Sequence, residues 1–136
     1  MTGQSCEVKV RSKQTMGKES EITEEVYQGT YLDRGEKKYL SYKRTTEDGS
    51  VDCLLTIGAG RLTMSQTGSL KSKLEFIPGQ TTKNTYSTPM GNMTIPVFTR
   101  GLSVHDKKET IDIMIDYDIA MGDAIVTMME ITATLK

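Results

Sequence analysis

The chain has no tryptophan, two phenylalanines, two cysteines and one histidine in 136 residues, and each scarcity removes a class of protein. Cys6 and Cys53 are too few for a disulfide-stapled scaffold and lack the paired spacing of a zinc site, so reduced thiols are expected. Cys53 sits among apolar positions and reads as a small buried hydrophobe, whereas Cys6 opens its strand and its role stays open. His105 has no second histidine or cysteine near it and adjoins the polar run Asp106 to Glu109, which makes it a surface residue and not a metal ligand. Any Ser-His-Asp arrangement would rest on that one histidine, and no Gly-x-Ser-x-Gly elbow exists. Neither a catalytic residue nor a metal or other cofactor is expected. No stretch approaches the roughly 20 apolar residues of a membrane helix, and the opening MTGQSCEVKV holds no apolar leader, so a cytoplasmic protein with no membrane partner is expected. Seventeen basic against 18 acidic residues leave a net charge of −1, without a field to draw in nucleic acid.

What is present is alternation. Turn signals recur about every 8 to 15 residues: Arg34-Gly35, Asp48-Gly49, Gly58-Ala59-Gly60, Thr67-Gly68, Pro78-Gly79, Pro89-Met90-Gly91, the run from Asp106, and Gly122-Asp123. Asp48-Gly49 suits a type I′ hairpin, Gly122-Asp123 a type II′ hairpin and Pro78-Gly79 a type II turn, because glycine takes the positive φ each needs. Gly58-Ala59-Gly60 lacks the third glycine of a nucleotide fingerprint and precedes strand, so it is another hairpin. About ten strands result, in a single domain covering 1–136 with its strands over about 6–135. Val51, Cys53, Leu55 and Ile57 share a face that Leu54 breaks; Leu62 and Met64 oppose Arg61, Thr63 and Ser65. Two segments fit helix as well as strand, the one with Leu70, Leu74 and Ile77 or Phe76 and the one over 124–135. The shortness of the first and the β-branched residues of the second favour strand.

The stretch IDIMIDYDI, residues 111–119, asks whether three aspartates form a site. Strand parity sets Ile111, Ile113, Ile115, Tyr117 and Ile119 on one side and Asp112, Met114, Asp116 and Asp118 on the other. Burying each isoleucine is worth roughly 1.5–3 kcal/mol, while burying unpaired carboxylates would cost more. The aspartates are expected to face water. Same-face strand neighbours stand about 7 Å apart, too far for one strand to supply the six to eight oxygens that calcium takes near 2.4 Å.

In TYSTPMGNMTIPVFTRGLSV, residues 85–104, Met93, Ile95 and Val97 share one parity and Leu102 and Val104 the other. One extra residue must intervene, and a β-bulge is placed at Gly101, beside Arg100, where it bends a long strand as a closing sheet requires. This segment, with Tyr86-Ser87-Thr88-Pro89-Met90-Gly91 leading it, Gly68 and Leu74-Glu75-Phe76 upstream and Tyr39-Leu40-Ser41-Tyr42 earlier, resembles the YwiB-like family of bacterial proteins of unknown function over roughly residues 6–135. The resemblance implies a closed antiparallel up-and-down β-barrel of the lipocalin-like or calycin-like architecture and implies no activity. It departs at Gln66, where the family pattern commonly has arginine two residues before the glycine matching Gly68.

Three functional readings follow. The first is a binding module for a small apolar or amphipathic molecule inside the barrel. The low aromatic content and nine methionines leave its interior filling open. The polar anchors expected for such a ligand are Tyr42, Gln66, Tyr86, Thr99 and Arg100, the last because a guanidinium beside a bulge pairs with a carboxylate or phosphate. The second is a structural or interaction protein, a homodimer through outward apolar residues such as Leu54 and Met114. An enzyme ranks last, since acid pairs such as Glu24 with Glu25 point to opposite faces of one strand.

Overall fold

Alternating segments this long, joined by tight turns, can satisfy their backbone groups only on one another. The chain does so as ten strands in sequence order: β1 (Gln4–Met16), β2 (Glu19–Asp33), β3 (Lys38–Thr46), β4 (Gly49–Gly58), β5 (Arg61–Gly68), β6 (Lys71–Phe76), β7 (Thr81–Thr88), β8 (Gly91–Asp106), β9 (Thr110–Met121) and β10 (Asp123–Leu135). They are seen in a computed structural model that describes residues 3–47, 49–68, 71–88, 91–121 and 123–136. Each strand pairs antiparallel with its neighbours in sequence, and β1 pairs with β10 from Cys6–Leu135 to Thr15–Val126, closing the ring. Closure removes most of the open sheet edge that would otherwise recruit other chains.

The turns follow their residues. β4 and β5 are joined through Ala59 and Gly60, both at positive φ (52° and 73°), as a type I′ hairpin demands. Ile77-Pro78-Gly79-Gln80 closes with Gln80 N–H donating to Ile77 C=O at 3.1 Å and Gly79 at φ 79°, the type II geometry. The turns expected at Asp48-Gly49, Pro89-Met90-Gly91 and Gly122-Asp123 include residues outside the described set, as does Leu70.

Parity then sorts the side chains. Leu40, Leu55, Leu62, Phe76, Ile111, Ile113, Ile115 and Ile131 all point inward and are fully buried, joined by Cys6, Val8 and Cys53. At roughly 1.5–3 kcal/mol for each large side chain, this core is the main favourable term in folding. Phe76 packs edge-tilted on Tyr117 with ring centres 4.9 Å apart. On the outer face of β9, Asp112 pairs with Lys107 at 3.0 Å, and Asp116 and Asp118 both pair with Arg100. IDIMIDYDI is a dry wall inside and a charged, ion-paired one outside. Leu54 and Met114 point outward and are exposed.

In β8 the register slips once: Thr99 faces Tyr117 and Gly101 faces Asp116, leaving Arg100 as the extra residue. Val97 and Thr99 before the slip, and Leu102 and Val104 after it, all turn to the interior. The inward face fades toward the start of β8, where Ile95 is half-buried and Met93 exposed.

Replacing Ala59 by asparagine, which tolerates positive φ far better, is expected to raise stability by a few tenths to about 1 kcal/mol in chemical denaturation; a loss would contradict the type I′ assignment. Burial, and next the neighbouring Tyr86, pushes the Tyr117 phenol up to about 12, and burial with Asp106 and Asp33 nearby raises Tyr31 as well. The fold therefore holds both phenols neutral, so their contribution to stability is complete below about pH 10 and is lost as the pH rises through about 12. In an alkaline titration the phenolate absorbance of Tyr31 and Tyr117 should appear together with unfolding, and Tyr117→Phe should reduce the late component by one phenol; reversible titration of all six tyrosines near pH 10 with unchanged circular dichroism would contradict this.

Candidate functional site at the polar end of the barrel

The ladder is not equally complete all round. β2 pairs with β1 along its whole length, from Tyr31–Gln4 to Glu19–Met16, but with β3 only from Asp33 to Gly29. Beyond Gly29 the two strands part. Glycine is required at that point: a Cβ on Gly29 would stand 2.4 Å from the Ser41 carbonyl oxygen, inside any tolerable contact. Past it, the backbone of Glu19 to Gln28 ladders only with β1 among the described residues, leaving a lateral opening between β2 and the end of β3.

The inward residues beside that opening differ from the core. Tyr27 of β2 and Tyr42 of β3 stack across the seam, ring centres 5.1 Å apart at 17°. Beyond them lies a cavity of about 240 Å³. Its lining mixes apolar Val10, Met64 and Met129 with polar Ser12, Thr23, Glu25, Arg44 and Gln66; Val10 stands directly across from Glu25, and Met64 lies two residues before Gln66 on the same face of β5. At about 30 Å³ per liquid water the space equals about eight waters. Arg44 follows Leu40 and Tyr42 on the inner face of β3, and its Nε–H is buried without an acceptor. Burial, with the Cys53 sulfur next, holds the Tyr42 phenol well above its usual range, while Arg44 acts the other way and Glu25 adds to the rise. Tyr42 is thus a hydrogen-bond donor at neutral pH. Ser72 donates to Gln66 Oε1 at 2.7 Å, and the Gln66 amide nitrogen lies 3.8 Å from the Cys53 sulfur, which fixes the amide's orientation.

A second polar patch follows round the interior. β6 and β7 pair backbone to backbone only from Lys71–Ser87 to Lys73–Thr85. Beyond that, side chains take over: Glu75 N–H donates to Asn84 Oδ1 at 2.9 Å, and Thr82 Oγ1 donates to the Glu75 carbonyl at 2.6 Å. Asn84 Nδ2 and Thr99 Oγ1 are buried there without partners. Tyr86, directly across from Ser72, is half-buried, and burial raises its phenol.

Of the five anchors expected from sequence, the structure brings Tyr42 and Gln66 onto the cavity and turns Tyr86 and Thr99 inward on the neighbouring patch. Arg100 is elsewhere. As the bulged residue it projects outward, and its guanidinium is taken by Asp116 and Asp118, so the interior arginine is Arg44. Sequence reasoning passed over Glu25, Tyr27 and Arg44. Their signal was parity: Arg44 shares the face of Leu40 and Tyr42, and Glu25 that of Tyr27 and Tyr31. His105 is exposed, and no group of three histidine, cysteine or acidic side chains able to hold a metal occurs among the described residues.

Two larger depressions lie outside the barrel. One, about 490 Å³, runs over Ser41, Lys43, Asp52 and Leu54 on the outer wall, where Lys43 and Asp52 stand 3.8 Å apart. The other, about 470 Å³, lies at the tip of the β1–β2 ribbon around Gln14, Met16 and Glu21. Both are wider and more open than the interior cavity, and neither is lined by a buried polar atom left unpaired among the described residues; a third, about 340 Å³ around Tyr31, Asp33 and Asp106, is lined by one, the Tyr31 hydroxyl, but by no buried charged group left unpaired.

The chain is 25% identical over 108 residues to the uncharacterized β-barrel protein YwiB of Bacillus subtilis (strain 168), an alignment covering 79% of this chain and 76% of that protein. It superposes on the crystal structure of the YwiB protein from Bacillus subtilis with a TM-score of 0.90 at 23% identity, covering 98% of this chain and 92% of the other. The family model for a domain of unknown function, DUF1934, matches residues 8–132. With nearly the whole barrel inside that match, the chain belongs to the DUF1934 family and is, like YwiB, a β-barrel protein whose function has not been characterised.

Proposed function

We propose that the protein is a non-catalytic binding module of the bacterial cytoplasm that holds one small amphipathic molecule in the polar end of its barrel, a lipocalin-like use of the fold. One observation carries the reading: the Arg44 Nε–H is buried on the wall of an interior cavity with no acceptor among the described residues. Leaving such a donor unsatisfied costs about 1–3 kcal/mol, and a bound molecule would remove that cost. The lining sets Met64, Met129 and Val10 beside Arg44, Gln66 and Glu25, a mixture of apolar and charged groups that suits an amphipathic occupant. The parting of β2 from β3 past Gly29 supplies a way in.

A second reading, a homodimer, has its own support on the outer wall of β8, β9 and β10. There Phe98 and Val126 both neighbour Asp118, Met128 neighbours Asp116, and all three apolar residues are exposed, as is Met114.

Native mass spectrometry of freshly purified protein tests both. The expected result is a monomer carrying a small adduct that is released on collisional activation. A bare monomer under gentle conditions would count against the binding module, and a bare dimer would favour the second reading.

A further inference from the structure

We infer that the ligand is an amphoteric molecule of amino-acid type, one carboxylate and one ammonium group on a small apolar body, with Arg44 taking the carboxylate and Glu25 the ammonium. The inference rests on the binding reading above and names its ligand class.

The cavity holds one guanidinium and one carboxylate, on strands that part at this level: Arg44 on β3 and Glu25 on β2, with no ion pair between them. Arg44 is the more enclosed of the two, and Glu25 the more exposed. A planar guanidinium with a free buried Nε–H is built for a carboxylate, which accepts two parallel N–H bonds. The neighbouring Glu25 makes the site nearly neutral in sum and repels a dianion, so a phosphate monoester is a poor match. A plain monoanion would satisfy Arg44 and leave Glu25 without a counter-charge. An ammonium group a bond or two from the carboxylate, on the opening side, satisfies both. The body of the molecule then lies against Met64, Met129 and the Tyr27–Tyr42 stack, surfaces that favour a ring through sulfur–aromatic and aromatic contacts. At about 240 Å³ the cavity is below the 300–1,000 Å³ usual for drug-sized ligands, which excludes a long acyl chain lying wholly within it.

Four probes with one ring separate the terms: L-phenylalanine, phenylacetate, 2-phenylethylamine and phenyl phosphate, titrated by calorimetry into the purified, ligand-stripped protein. The expected order is L-phenylalanine first, phenylacetate second, with the amine and the phosphate each weaker by about tenfold or more than the amino acid. Arg44→Gln should weaken L-phenylalanine and phenylacetate by about tenfold or more, and Arg44→Lys less so. Glu25→Gln should bring the amino acid down to the level of phenylacetate and improve the phosphate. Because the Arg44 Nε–H makes no bond in the free protein, thermal unfolding of Arg44→Gln should stay close to that of the parent, separating a binding defect from a folding one. Unchanged affinity for L-phenylalanine in Arg44→Gln, or absence of binding by all four at millimolar concentration, would overturn the inference. Equal binding of all four would overturn it too while leaving the binding-module reading standing, since the cavity would then take a ring without reading its charges.

Discussion

A strand shows its side chains to two sides in turn, and in a closed barrel one of those sides has no water. Everything in this molecule depends on that constraint. An inward side chain must be apolar, or be paired inside, or be met by something else. The lower interior takes the first course, with isoleucine and leucine on β3, β4, β5, β9 and β10 interlocking around Phe76 and Tyr117. The Ser72–Gln66–Cys53 chain and the Asn84 bridge take the second. Arg44 takes neither, and it is the charged one among several inward groups left unpaired, which makes this β-barrel a candidate for binding.

Magnitudes decide which charged groups matter. The outer wall carries several ion pairs, Lys9 with Glu24, Lys43 with Asp52, Arg61 with Glu75 and the aspartates of β9 among them. Exposed pairs of this kind are worth about 0–1 kcal/mol each and mainly keep the wall soluble. A buried donor without a partner costs about 1–3 kcal/mol, so each of Arg44 Nε and Asn84 Nδ2 weighs more than a typical pair outside. Natural folds keep such groups for a reason, whether a bound molecule or an ordered water. At Arg44 the adjoining cavity and its mixed apolar and charged lining favour a molecule.

Much of this was legible from residues alone, because a period of two is hard to mistake when one side is isoleucine. The run from Ile111 to Ile119 set the core side of β9, and the parity change between Val97 and Leu102 located the bulge to within a residue. What parity could not convey is how far a strand stays paired. Nothing in the sequence of β2 says that its ladder to β3 ends at Gly29, since that depends on a close approach to Ser41 from another strand. For the same reason the arginine that drew attention was Arg100 and not the inward Arg44. Arg100 stood beside the bulge and looked placed for a ligand, but a bulged residue turns outward, and two aspartates of β9 were waiting there. Arg44 lay on an inward position at the end of a short apolar face, where a charged residue passes for the edge of a strand.

A ring of strands paired throughout β9 but parted between β2 and β3 past Gly29 is tested most directly by residue-resolved hydrogen exchange of the free protein. Amides of β9 and of β2 between Gly29 and Asp33 should exchange at rates set by global unfolding, while the alternate amides between Ser20 and Gln28 that do not bond to β1 should exchange orders of magnitude faster. Uniform protection along the whole of β2 would mean that the seam is zipped and the cavity closed, and the account would be wrong.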